Sequence, residues 1–165
     1  MANVRIQPGR ALNIINSDDA NIPFPTVNST GTSSAVVASF LVDSTQDFVT
    51  LNVCPGDIVY NLTTNTAATV IAYPDPLTPD RFELNANIFL AAGNSYVVYQ
   101  SGSMAGGGQN SGCVLYVGGI GNVRVLTTDL DDVTFFGVQT GTFMPVQVVK
   151  VFATGTSATN IVALW

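Results

Sequence analysis

Histidine is absent from this 165-residue chain, lysine and glutamate occur once each (Lys150 and Glu83), and only 10% of the residues are charged. Each shortage removes a class of chemistry. Without histidine the Ser/His/Asp and Cys/His nucleophile arrangements cannot be built, which leaves Ser/Lys or paired carboxylates as the remaining catalytic options. The single lysine sits in mid-strand, where a solvated or snorkelling side chain is the simpler reading than a general base. A net charge of −6 leaves no basic footprint for a phosphate backbone or an anionic membrane, so neither nucleic acid nor membrane is an expected partner. No run of about 18 apolar residues occurs, and "MANVRIQPGRALN" has no apolar signal core, so the expectation is a soluble chain without an export signal. Cys54 and Cys113 are isolated, with no C-x-x-C spacing, and read as free, partly buried thiols rather than as metal ligands or a disulfide.

What is present points to strands. Hydrophobic residues make up 47% of the chain, and the charge deficit, against roughly 25% in an ordinary globular protein, is filled by Ser, Thr, Asn and Gly. Val, Thr, Ile, Phe and Tyr are abundant while strong helix formers are scarce, which predicts an all-β fold. Gly, Pro, Asn and Asp punctuate the chain every several residues, as between short strands.

Three segments follow. Residues 1–32 hold one apolar run, "ALNII", and then the stretch "NSDDANIPFPTVNSTGTSS", whose Pro23 and Pro25 oppose ladder pairing, so it reads as an extended arm. From residue 35 a hairpin pattern runs through "AVVASFLV", "FVTLNV", "IVYNLTTNTAATVIAY", "RFELN" and "NSYVVYQ". "CPGD" has the order of a type II turn, with proline at the first central position and glycine at the second, and "PDPLTPD" reads as an exposed loop. "SGSMAGGGQNSG" then has the composition of a flexible linker. The last segment offers five strands, "CVLYVGG", "GNVRVLTTD", "DVTFFGV", "FMPVQVVKVFAT" and "NIVALW". Alternation in "VQVVKVFA" puts Val146, Val148 and Lys150 on one face and Gln147, Val149 and Val151 on the other, so both faces of that strand are expected to meet protein. The sequence ends on Trp165, in a strand expected to pair with "VQVVKVFAT".

Other motifs are weak. "Asp129-Leu130-Asp131-Asp132" and Asp18-Asp19 lack the spaced oxygen ligands a hard cation requires and read as solvated turns, so no metal or other cofactor is expected. "YVGGIGNV" resembles a nucleotide loop only superficially, because a strand follows it instead of a helix; a hairpin turn is expected. The acceptor patterns at Asn28 and Asn61 are read as chance matches in an Asn/Thr-rich chain. Low charge with high hydrophobicity is better explained by uncharged faces that neighbouring subunits cover.

Residues 113–165 carry a more specific pattern. "LYVGGIGNVRVLTTDLDDVTFFGVQTGTFMPVQVVKVFATGTSATNIVALW" resembles the C-terminal block of the head spike base proteins of gene transfer agents and related tailed-phage virion proteins, running from "LYVG" to a closing "ATGT-x-A-T-x-I-x-A-L". The stretch from Ser17 to Pro23 is similar to that family's acidic "S-D-x-x-x-x-P". Residues 33–101 depart from it and resemble instead a small β-module of phage structural proteins, at residues 48–63 and 96–99. The resemblance implies a short-stranded antiparallel base domain, sandwich-like or barrel-like, of residues 1–32 and 102–165, with residues 33–101 as an inserted, outward-facing β-module.

The function implied is non-enzymatic: a capsid decoration (cement) protein or head spike base subunit, located in the virion and assembled in the host cytoplasm. Its expected partners are copies of itself, in a trimer or pentamer, and the major capsid protein or other virion proteins. Pro23, Phe24, Pro25, Phe143, Val149, Val151 and Trp165 are the candidate interface residues. A different class, a tail-associated receptor-binding or carbohydrate-binding module, would use Tyr60, Tyr73, Tyr96 or Tyr99 as stacking platforms, although tyrosines in sheets usually pack. An enzyme acting on cell-wall polysaccharide would need two placed carboxylates, and nothing in the sequence positions a pair.

Overall fold

The computed structural model of the chain describes residues 8–100 and 112–165; residues 101–111, nearly all of the stretch read as a linker, lie outside them. The described residues form β1 (Ala11–Asn13), β2 (Val27–Thr32), β3 (Phe40–Val42), β4 (Ile58–Asn61), β5 (Thr66–Thr69) and β6 (Arg81–Glu83). They continue with β7 (Ser95–Tyr99), β8 (Cys113–Gly119), β9 (Gly121–Thr127), β10 (Asp132–Val138), β11 (Thr142–Val151) and β12 (Thr159–Leu164). Every ladder is antiparallel, and no helix occurs among the described residues, so the fold is all-β. The chain divides into two compact units, one from the residues up to Asn16 with those after residue 111, the other from residues 17–100.

Unit 1 is a six-stranded sheet in the order β1-β12-β8-β11-β9-β10. Leu115, Val117, Val123, Val125, Val148 and Ala163 are fully buried, and each large member of this set stabilises the unit by roughly 1.5–3 kcal/mol. β8 and β9 are separated only by Ile120, yet they lie on opposite sides of β11. The expected hairpin at "GGIGN" is therefore a corner between two strands that do not pair with each other. Glycine makes the corner possible: a Cβ on Gly121 would collide with the backbone at Ala158, and one on Gly118 would lie 2.8 Å from the Asn160 carbonyl.

The pairing expected for "NIVALW" is also different. β12 lies between β1 and β8, with Ala163 opposite Leu12 on one side and Leu115 on the other, and it is not paired with β11. The Trp165 N–H donates to the Arg10 carbonyl (3.0 Å), and the Trp165 carbonyl accepts from the N–H groups of Gly9 and Arg10. Backbone pairing to the segment before β1 ties this residue down.

In β11 the strict alternation fails because the strand carries two irregularities. The first lies between Met144 and Val148, around Pro145, which has no N–H to give to a ladder. The second inserts Val149, since Val148 pairs with Thr127 while Lys150 pairs with Leu126. The phase slips by one residue, so Val148 and Val151 both face the core, and Val149 remains half-buried.

Unit 2 combines a four-stranded sheet, β2-β7-β4-β5, with the two-stranded β3-β6. Its core holds Leu41, Phe48, Val59, Phe82, Phe89, Tyr96 and Val98, with Phe48 and Phe82 edge-to-face at 4.7 Å between centroids. Residues 17–32, expected with the base domain, belong here. Val27–Thr32 pairs with Ser95–Tyr99, and the Ser17 hydroxyl donates to the Ala67 carbonyl at 3.1 Å. The Asp19 carbonyl accepts from Asn85 Nδ2 at 2.7 Å. The prolines stop short of β2 and do not prevent it. "CPGD" is the turn its residues specify: Gly56 has φ 96°, and the Asp57 N–H donates to the Cys54 carbonyl at 3.0 Å. "FVTLNV" is not a strand but a turn, capped where Asp47 accepts the Thr50 N–H at 2.9 Å and closed by the Val53 N–H to the Phe48 carbonyl at 3.1 Å.

Candidate functional site

The candidate interface residues are divided between the two units. Pro23 is buried and Phe24 and Pro25 are half-buried in unit 2, whereas Phe143, Val149, Val151 and Trp165 belong to unit 1. Val151 is a core residue and has no surface to offer a partner. Phe143 is 63% exposed, and its ring lies 5.2 Å from that of Tyr116, its cross-strand neighbour. Tyr116 is in turn opposite Val162, and Val114 opposite Leu164. Because paired residues share a face, Phe143, Tyr116, Val162, Val114 and Leu164 make an apolar stripe across β11, β8 and β12, on the side away from the Leu115/Val117 core. All but Phe143 are half-buried. Of this stripe only Phe143 stands out in the sequence; the alternation of β8 is legible there, but its partners depend on strand order.

On the same sheet, Arg124 forms a paired contact with Asp132 through Nε and Nη2, and its guanidinium stacks over Phe152 at 4.4 Å. This contact holds the Asp132 carboxyl below its usual range. The "Asp129-Leu130-Asp131-Asp132" turn therefore gives one of its acids to an arginine. Among the described residues no group of three or more Asp, Glu or Cys side chains is placed to hold a metal ion. Cys54 and Cys113 are free and buried, in different units, and burial pushes the Cys113 thiol up to about 12. Burial and the neighbouring Asp57 charge also raise Cys54. Neither is a ready nucleophile.

Of the four candidate stacking tyrosines, three are packing residues. Tyr60, Tyr96 and Tyr99 are buried, Tyr60 and Tyr99 edge-to-face at 5.3 Å. Tyr73 is different: it is 60% exposed and lines a surface pocket of about 320 Å³ in unit 2, with Phe40, Asp75, Thr78, Arg81 and Glu83 around it. Strand pairing builds one wall, because Phe40 lies directly opposite Glu83, while the next pair, Leu41 and Phe82, is buried in the core, with Phe82 also reaching the pocket lining. The other wall is the "PDPLTPD" loop. The Asp75 carboxylate accepts the Leu77 N–H at 2.8 Å, its carbonyl accepts the Thr78 N–H at 2.9 Å, and Arg81 Nε donates to Asp80 at 3.2 Å. The composition of that loop announces exposure; its juxtaposition with Phe40 and Glu83 follows only from the β3-β6 register.

No helix among the described residues is long and apolar enough to cross a membrane. Compared with family models, with curated proteins and with solved structures, the chain gives no match.

Proposed function

We propose that the chain is a non-enzymatic phage virion structural protein, a capsid decoration or head spike base subunit that works as a symmetric homo-oligomer. The observation that carries this reading is the apolar stripe of Phe143, Tyr116, Val162, Val114 and Leu164 on unit 1. A large phenylalanine held 63% exposed beside a tyrosine costs hydration free energy unless a partner covers it. The resemblance of residues 113–165 to head spike base proteins supports the same unit as the anchoring part. The mechanism is adhesive. Copies of the chain, in a trimer or pentamer, bury the stripe against one another or against the major capsid protein or another virion protein. An interface that holds stably buries about 1,200–2,000 Å² in total, so neighbouring side chains must contribute beyond the stripe.

Light scattering of the purified chain at micromolar concentration, followed by sedimentation with capsids that lack it, tests the reading. An oligomer that binds capsids is the expected result, and Phe143→Glu should weaken assembly while leaving the melting of unit 1 intact. A chain that stays monomeric and binds no virion component overturns the proposal.

A further inference from the structure

We infer that the Tyr73 pocket of unit 2 is a binding site for an uncharged saccharide. The ligand class follows from the groups that line it. Sugar rings present apolar C–H faces and a rim of hydroxyls, so their sites pair an exposed aromatic face with acceptors and donors at the edge. Tyr73 supplies the exposed face, with Phe40 beside it. Glu83 and Asp75 supply carboxylate acceptors, and Arg81 and Thr78 supply donors. Among the described residues neither the Glu83 carboxylate nor the Tyr73 hydroxyl has a hydrogen-bond or ion-pair partner, and the Arg81 guanidinium is engaged only through Nε. These groups are left for a ligand.

The charge balance narrows the class further. Two carboxylates face one guanidinium, and that guanidinium is already paired with Asp80, so a phosphate or an acidic sugar is disfavoured. A pocket of about 320 Å³ is at the lower end of the roughly 300–1,000 Å³ found for small-molecule sites, which suits the end of a glycan rather than an extended chain. The site is also held in shape. Pro74, Pro76 and Pro79 restrict the loop, Asp75 pins its turn, and Leu41 and Phe82 fix the strand pair from the core side. A rigid site loses little conformational entropy on binding. The inference is independent of the assembly reading, because it uses residues of unit 2 alone.

The test is a printed array of neutral and acidic bacterial-surface oligosaccharides probed with the full chain, with titration calorimetry on the strongest neutral ligand. Neutral glycans are expected to bind, with affinity falling about tenfold or more in Tyr73→Ala and also falling in Glu83→Gln. The exposure of Tyr73 means that its removal leaves the fold intact, which an unchanged melting curve verifies. Three results overturn the inference: no binding to any neutral glycan, binding restricted to acidic glycans, or neutral binding that Tyr73→Ala leaves unchanged.

Discussion

The Tyr96 hydroxyl donates to Asp43 Oδ2 at 2.8 Å with both residues buried, so a carboxylate is held inside unit 2 by a tyrosine more than fifty positions away. Thr45 adds its hydroxyl (2.7 Å) and its N–H (3.0 Å), both donated to Oδ1, and the Thr32 backbone a further bond. Gly31 leaves the room, since a Cβ there would come within 2.5 Å of Asp43 Oδ2 and 2.6 Å of the Tyr96 hydroxyl.

Tyr96→Phe removes the donor and leaves the buried acid short of a partner. The expected cost is about 1.5–3 kcal/mol in unit 2. Gly31→Ala should be destabilising as well, because both atoms it meets are fixed. Chemical denaturation followed by the near-UV tyrosine signal measures both, since four of the five tyrosines lie in unit 2.

The same acid makes unit 2 sensitive to low pH. Burial by itself would raise the Asp43 pKa, but the hydrogen bonds from Thr45, Tyr96 and the Thr32 backbone outweigh it and bring the carboxyl below its ordinary value. A depressed folded-state pKa contributes stability that is present above the unfolded value of about 4 and is lost as pH falls through the folded value. The melting temperature of unit 2 should therefore drop below about pH 4, and Asp43→Asn should flatten that drop. Asp47, held low chiefly by the Thr50 N–H, is unchanged in the variant and leaves a residual slope in unit 2.

Two adjacent-looking valines should behave differently. Val151→Ala opens space in the core beside Val125 and should cost about 1–3 kcal/mol, while Val149→Ala, at the inserted position, should cost about 1 kcal/mol or less. Trp165 is the only tryptophan, so its fluorescence reports the unfolding of unit 1. Equal costs would mean that β11 alternates regularly.

Removing residues 163–165 should abolish cooperative folding of unit 1, because Ala163 and Leu164 pair with both β1 and β8. Trp165→Ala keeps the backbone bonds to Arg10 and loses only part of a half-buried ring, for about 1–2 kcal/mol. Circular dichroism melts of the two variants separate the contribution of the strand from that of the indole.

The strands of unit 1 are legible because β-branched and aromatic runs bounded by glycine and aspartate mark them locally; all five expected segments contain a strand. "FVTLNV" misleads for an equally local reason, since the acid just before it caps a turn that its apolar pattern hides. The apolar stripe and the Tyr73 pocket are of another kind. Phe143 beside Tyr116, and Phe40 opposite Glu83, are cross-strand neighbours, and composition carries no information on which strands meet.

The all-β class, the type II turn at "CPGD" and the exposed tip of the proline loop at Asp75, Pro76 and Leu77 follow from local sequence, because each depends on the conformational preferences of a few adjacent residues. Long-range packing, in contrast, places residues 17–32 in unit 2, makes "GGIGN" a corner, buries Val151 in the core, and brings Trp165 at the end of β12 to Arg10 rather than to β11. Strand order and register are set by burial summed over the whole sheet. One inserted residue, such as Val149, then reverses the faces of everything that follows it.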